Sequence, residues 1–195
     1  ETKNHDIVLH LAALIGIPYS YVAPLSYVRT NVQGTVNVLE SVRKNNIELM
    51  INTSTSETYG TAIYKPIDEK HPLQGQSPYS ATKIAADKLS ESYHNSFDTP
   101  VITIRPFNTF GPRQSSRAVI PTIITQLLTN QDLKLGELKA TRDFTYVGDT
   151  VKGYIKAIES KKLYGEVINL GFGKTISIFD TAKLIMKILD KEQEI

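Results

Sequence analysis

Between residues 6 and 110, near-continuous apolar runs alternate with segments of helical period, and this rhythm constrains the fold more than any other feature of the chain. The runs DIVLHLAA (6–13), IELMINTS (47–54) and PVITIRPFN (100–108) have the length of strands. Their lack of polar alternation is the mark of strands covered on both faces. Between them, NVQGTVNVLESVRKNN (31–46) places Val32, Val36, Leu39 and Val42 along one helical face, and Asn45-Asn46 ends it. PYSATKIAADKLSESYHNSF (78–97) reads as a second helix, with Ala81, Ala85, Lys88 and Ser92 as a row of mostly small residues where a helix could approach a sheet closely. Strand–helix–strand–helix–strand predicts an α/β fold with a Rossmann-like, doubly wound parallel sheet.

Such sheets take ligands outside the carboxyl ends of their strands. The three ends here are polar and unusual: His10-Leu11-Ala12-Ala13, Thr53-Ser54-Thr55-Ser56-Glu57, and Arg105-Pro106-Phe107-Asn108. After Gly111-Pro112 the rhythm changes. AVIPTIITQLLTN (118–130) reads as a helix with an early proline, DLKLGE (132–137) and RDFTYVGD (142–149) as short strands, and EVINLG (166–171) as a strand between two amphipathic helices.

Bulk properties remove several function classes. The 195 residues allow one domain or little more, and 41% hydrophobic with 22% charged residues is ordinary globular composition. A net charge of +2 gives no electrostatic case for a nucleic-acid or membrane-surface partner. Without cysteine there is no disulfide, thiolate nucleophile or cysteine-bound metal, no metal site is picked out, and a cytoplasmic location is expected. No apolar run reaches the ~18 residues of a membrane span, and no signal peptide pattern opens the chain.

Tyr79 and Lys83 are four residues apart at the start of the second helix, so they share a face. An ammonium beside a phenol favours phenolate. Bringing a tyrosine from a pKa of ~10 towards ~7 corresponds to about 4 kcal/mol and makes a general base for a hydroxyl proton. Ten tyrosines make a chance Y-x-x-x-K common, so the pair alone carries little. It gains weight from STSETYG (54–60), which closes the preceding strand 24 residues earlier. Glu57 there is either a solvated loop acid or an active-site carboxylate.

Together, STSETYG and Tyr79-x-x-x-Lys83 resemble the extended short-chain dehydrogenase/reductase superfamily. HLAA, NVQGTVNVLE, SPYSATKIAAD, RPFNTFGPRQ, RDFTYVGDTV and NLGFG are similar, in order, to segments of its NAD-dependent nucleotide-sugar epimerase/dehydratase family. Thr55-Ser56-Glu57 resembles the 4,6-dehydratase pattern, as in the GDP-mannose dehydratases. HLAALIGIPYSYVAP, STSETYGTA and PIDEKHPLQGQSPYSATK are more similar still to bacterial GDP-N-acetylglucosamine 4,6-dehydratases of legionaminic acid biosynthesis.

The resemblance implies NAD as cofactor and a nucleotide-diphosphate sugar, of the GDP- or UDP-N-acetylglucosamine type, as substrate. Tyr79, assisted by Lys83 and Thr55, would take the proton of the 4-hydroxyl while hydride leaves carbon 4. Glu57 would remove the proton at carbon 5 and, relayed by Ser56 or water, help expel water from carbon 6. A 4-epimerase has no use for a carboxylate at this point; an epimerase or a decarboxylase remains the alternative on the same fold, and a non-catalytic binding module the alternative from another class. Leu11, Ala12, Ala13, Asn31, Ser54 and Pro106 carry over to the cofactor side, with helix capping an equal reading for Asn31 and packing the favoured one for His10. Asn108, Arg113, Arg117 and Arg142 carry over to the substrate, Arg142 as a diphosphate clamp; Arg113 and Arg117 read equally well as surface ion-pair partners. A homodimer formed through the helix of Tyr79 is also implied.

Two departures stand out. The glycine-rich dinucleotide fingerprint is absent, with the acidic residue that follows it in the family, and so are the several dozen residues with which family members usually continue at the C-terminus. NLGFGKT (169–175) is no phosphate loop, since Ile168 stands where glycine is needed. The chain is therefore expected to be a portion of a longer protein: residues 1–111 a partial NAD-binding domain, 112–195 a partial substrate domain, with elements near 143–160 returning to the first.

Overall fold

The computed structural model describes residues 2–193, in two units. One holds the chain up to Phe107 together with Val151–Leu170; the other holds Asn108–Thr150 and the chain from Gly171 on. Asn108–Gly111 thus falls with the second unit rather than the first, and the returning segment is Val151–Leu170 rather than 143–160.

In chain order the elements are β1 (Ile7–His10), α1 (Ile17–Val22), α2 (Pro24–Tyr27), a π-helical turn (Val28–Gln33), α3 (Gly34–Lys44), β2 (Leu49–Thr53), a 3-10 turn (Ser56–Tyr59), α4 (Pro78–Phe97) and β3 (Val101–Pro106). They continue with β4 (Asn108–Phe110), α5 (Val119–Leu128), β5 (Thr141–Tyr146), α6 (Val147–Ile158), β6 (Val167–Leu170), β7 (Thr175–Ser177) and α7 (Ile178–Leu189).

The first unit is built on a four-stranded parallel sheet in the order β1-β2-β3-β6. Alternation along β2 sends its side chains to two cores. Leu49 and Ile51 join Ile102, Ile104 and Ala157 of α6, whereas Met50 joins Val101, Ile47 and the α3 residues Leu39 and Val42. Truncating Ile51, which is fully buried, to alanine would cost about 2–5 kcal/mol. Among the described residues β1 lies at one end of the sheet, and Ile7 and Leu9 are 40% and 45% exposed. Its continuous apolar run is therefore covered on one face only among the described residues.

α4 starts where the sequence dictates. Ser77 accepts from the Ser80 amide at 3.0 Å, the Ser80 hydroxyl accepts from the Ser77 amide at 2.9 Å, and Pro78 occupies the first turn. The helix ends at Asp98 in the left-handed conformation (φ 53°). The face it buries is not the small-residue row Ala81, Ala85, Lys88 and Ser92, of which Ala81, Lys88 and Ser92 are exposed. Tyr79, Lys83, Ala86, Asp87 and Ser90 are buried instead. Burying an ionic group is tolerable only where it finds partners, and the site below supplies them.

In the second unit β4 pairs parallel with β5, and β5 pairs antiparallel with β7. α5 and α7 share a small core of Ile123, Leu127, Ala182 and Met186. Residues 132–137, expected as a strand, form none; the strand is β5, and β7 is the short partner that the sequence did not mark. No helix among the described residues is long and apolar enough to cross a membrane.

Candidate active site

β2 ends on Thr53, whose carbonyl accepts a 2.6 Å hydrogen bond from Lys83 Nζ and whose hydroxyl accepts from Tyr154 at 3.0 Å. α4 packed beside this strand end therefore sets where Lys83 and, one turn earlier, Tyr79 lie; both are buried. The Tyr27 ring stands edge-on to Tyr79 with centroids 6.3 Å apart.

Burial drives the Tyr79 phenol up to about 12; the Thr55 hydroxyl pulls it down, and the negative charge of Glu57 pushes it up again. Burial also lowers the Lys83 ammonium, against the charge of Asp87. The expectation that the Lys83 ammonium eases Tyr79 ionisation is not met, because the phenol lies above its ordinary pKa. The desolvation of a phenol inside the fold outweighs its neighbours, and the lysine directs a donor at the Thr53 carbonyl instead.

STSETYG forms a capped turn. Thr55 is extended (φ −162°), and its hydroxyl accepts from the Glu57 amide at 3.2 Å; the Thr58 hydroxyl donates to the Thr55 carbonyl at 2.8 Å. Gly60 ends the turn at φ +62°, where a Cβ would approach the Gln76 side chain to 2.8 Å and Cβ of Gln74 to 3.0 Å. Thr55, Ser56 and Glu57 are all half-buried. Ser54 is buried, and although its hydroxyl favours the charged form of Asp87, it has no partner at hydrogen-bonding geometry.

A polar network lies behind this site. Asp87, two turns beyond Tyr79 on α4, pairs with Arg105 of β3 at 2.9 Å, both about 4% exposed or less. Burial pushes the Asp87 carboxyl up while Arg105 opposes it. Arg105 Nη1 also donates to the Tyr59 hydroxyl at 2.9 Å, and that hydroxyl donates to Asn169 Oδ1 at 2.7 Å. Asp87, Tyr59 and Asn169 are not singled out from the sequence, and Arg105 is named there only as part of a polar strand end. The signals were there: Asp87 extends the four-residue series of Tyr79 and Lys83, and Arg105 is a charge inside an apolar strand.

Leu11, Ala12 and Ala13 follow the end of β1. Leu11 and Ala12 are exposed and Ala13 half-buried. Asn31 is not a helix cap; it sits inside the π-helical turn, and Gln33 occupies the N-cap of α3. Its Oδ1 accepts from the Leu14 amide at 2.8 Å, while its Nδ2 donates to the Leu14 carbonyl at 2.9 Å and to Thr82 Oγ1 at 3.1 Å. Asn31 thus ties the segment after β1 to α4. His10 is packed, its Nε2 3.1 Å from Thr35 Oγ1, with its pKa lowered by burial and by Lys83. Pro106, half-buried, ends β3. The Ser54 hydroxyl, the further donors of Lys83 and the segment Leu11–Ala13, exposed at Leu11 and Ala12, are groups that could hold a cofactor.

Asn108, Arg113, Arg117 and Arg142 belong to the second unit. Asn108 opens β4 and is half-buried. Arg113 has φ +68° and, like Arg117, is exposed; among the described residues neither has a carboxylate within ion-pair distance. Arg142 is exposed on β5, with Nη1 donating to the Thr141 carbonyl at 2.9 Å. Its neighbour Asp143 is buried, accepting from the amides of Phe172 at 2.9 Å and Gly173 at 2.7 Å.

Comparison with known proteins identifies the family and the fold. The family described as GDP-mannose 4,6 dehydratase matches residues 1–194. A dTDP-D-glucose 4,6-dehydratase of Homo sapiens is 33% identical over 190 residues, which is 97% of this chain and 54% of that protein. The chain thus spans about half the length of the curated relatives it matches. A UDP-N-acetylglucosamine 4-epimerase from Methanobrevibacter ruminantium M1, solved in complex with UDP-N-acetylmuramic acid, superposes with a TM-score of 0.93 at 33% identity, covering 98% of this chain and 63% of that one. A dTDP-glucose 4,6-dehydratase from Streptomyces venezuelae, solved with NAD bound, gives 0.92 at 26% identity, covering 98% and 59%. With the parallel sheet, the Tyr79–Lys83 helix and the capped Thr55-Ser56-Glu57 turn, the chain belongs to the nucleotide-sugar epimerase/dehydratase family of the extended short-chain dehydrogenases/reductases.

Proposed function

We propose that this chain carries the catalytic centre of a nucleotide-sugar 4,6-dehydratase, acting on a GDP- or UDP-linked sugar of the N-acetylglucosamine type. One observation carries the proposal: Glu57 is half-buried on a turn held by Thr55, and its charge is felt at Tyr79. An acid carboxylate beside a tyrosine base is what removal of water from a sugar requires, and reversal at carbon 4 alone does not need it.

Ser54, Lys83 and the strand ends at Leu11–Ala13 and Pro106 fit the reactive end of NAD. When bound, NAD supplies the acceptor for hydride from carbon 4 and the donor that returns it to carbon 6. The part played by this chain is proton traffic. The Tyr79 phenol lies above its ordinary pKa, at about 12, so its conversion to a base has to be driven by the groups around it as the proton moves. Thr55 holds the 4-hydroxyl against the phenol, and the Lys83 ammonium favours the phenolate as the proton moves. The 4-ketone acidifies the carbon 5 proton, which passes to Glu57 and on, through Ser56 or water, to the departing 6-hydroxyl; when hydride returns to carbon 6, carbon 5 takes a proton back, which balances the one first removed by Tyr79. Arg142, with Arg113, Arg117 and Asn108, is the proposed grip on the diphosphate and sugar, and a homodimer the proposed assembly.

The 4-epimerase reading is kept because the Methanobrevibacter epimerase is as similar as the human dehydratase. Incubation of the intact protein with NAD and a panel of GDP-, UDP- and dTDP-sugars, read by mass, tests the choice. Loss of one water supports the dehydratase; a mass-neutral change at carbon 4 marks an epimerase, loss of carbon dioxide a decarboxylase, and binding without turnover a non-catalytic module.

A further inference from the structure

The two halves of the proposed chemistry sit on different elements. Tyr79 and Lys83 lie on α4, whereas Ser56 and Glu57 lie on the 3-10 turn Ser56–Tyr59. One buried side chain touches both elements. Arg105 binds Asp87 of α4 through Nε at 2.9 Å and the Tyr59 hydroxyl of the turn through Nη1 at 2.9 Å. Its guanidinium carbon also stands 4.9 Å from the centroid of the Tyr59 ring. The Tyr59 hydroxyl continues to Asn169 Oδ1, and Asn169 is held in turn by Glu69 Oε1 on its amide at 2.7 Å. Arg105 and Asp87 are about 4% exposed or less and Tyr59 is fully buried, so the bonds of Arg105 to Asp87 and to Tyr59 are shielded from solvent, while the Asn169–Glu69 bond beyond them is exposed.

We propose that Arg105 is a positioning residue that braces the Glu57-bearing turn against the helix carrying Tyr79 and Lys83, keeping the water-expelling carboxylate in register with the oxidising pair. The brace rests on the dehydratase reading above for its consequence, and on the planar fork for its geometry. A guanidinium reaches two acceptors in fixed directions, which a lysine ammonium on a flexible stem does not. A misplacement of about 1 Å can cost up to about a hundredfold in rate. The tyrosine–lysine pair keeps its own anchor, the Lys83–Thr53 bond, when Arg105 is changed.

The test uses R105K, Y59F and the double variant in the intact protein, with NAD and the sugar accepted by the parent. Three quantities are read: reduced cofactor formed in a single turnover, water lost per cofactor reduced, and amide exchange of residues 56–60 and 79–90. R105K is expected to lower water loss about tenfold or more, with KM and single-turnover reduction within about threefold. Exchange at 56–60 should rise at least tenfold with 79–90 unchanged, and Y59F should do the same in both respects. The double variant should be no worse than the poorer single one. The brace is overturned if both half-reactions fall together with the denaturation midpoint, if the two losses multiply, or if exchange at 56–60 stays at the parental rate. Should the parent remove water from no sugar, the dehydratase reading falls, and the exchange rates alone decide the brace.

Discussion

The two units treat their charged candidates in opposite ways. In the first, Lys83, Asp87 and Arg105 are buried and bonded, each within a few ångströms of a named partner. In the second, Arg113, Arg117 and Arg142 are exposed, and Arg142 donates to the carbonyl of its neighbour Thr141. Groups that move protons must be placed before the substrate arrives, because misplacement costs rate. Groups that grip a diphosphate gain their partner from the ligand and can remain solvated until then. The contrast predicts that substitutions in the first unit act on turnover or folding, and those in the second on affinity.

The largest effect expected is from Tyr79→Phe, which removes the proposed base while keeping the ring against Tyr27. Turnover should fall about 10²–10⁴-fold with the denaturation midpoint nearly unchanged; a variant of parental rate would break the contrast at its centre. Next comes Asp87→Ala, which leaves Arg105 charged and buried. It should cost about 3–5 kcal/mol of stability in urea denaturation, and a loss below about 1 kcal/mol would mean that solvent reaches the pair. Arg142→Ala should raise KM about tenfold, roughly 1.4 kcal/mol, with kcat and stability preserved. An equal fall in kcat would place Arg142 with the preorganised groups.

Two smaller effects sharpen the electrostatics. Because the charge of Glu57 raises the Tyr79 pKa from its side, Glu57→Gln should lower the phenol's ionisation pH, followed by ultraviolet difference absorbance in the ligand-free protein. An upward or absent shift would separate the two side chains. His10 has a folded-state pKa below the ordinary value of about 6.5, from burial first and from Lys83 second. The unfolded chain therefore takes up this proton more readily. The contribution of His10 is fully present above about pH 6.5 and is lost as pH falls through that value towards the depressed one. Denaturation midpoints of His10→Gln should lose part of the parental acid dependence, and identical pH slopes would refute the assignment.

Much of the first unit was legible because period and capping are local. β2 and β3 were marked by their apolar runs, and the start of α4 by Ser77-Pro78 ahead of its periodic segment. The face of α4 was misread because the row of small residues was given the sheet. Polar residues go inside when a partner waits there, and the partners of Lys83 and Asp87 come from strands 30 and 18 residues away in sequence. Asn31 likewise looked like a cap because helices commonly start at such residues; a π-helical turn placed it where it could bind Leu14 and Thr82 instead.

By itself the sequence determined the parallel α/β order and the pairing of Tyr79 with Lys83, since apolar rhythm and helical spacing are properties of neighbours along the chain. It also set Thr55-Ser56-Glu57 at a strand end. Only the tertiary structure decided that Lys83 meets a strand carbonyl, that burial raises the Tyr79 phenol above its ordinary pKa, and that Arg105 joins the two elements bearing the candidate groups. Those outcomes depend on desolvation and on contacts between distant segments, which no local pattern specifies.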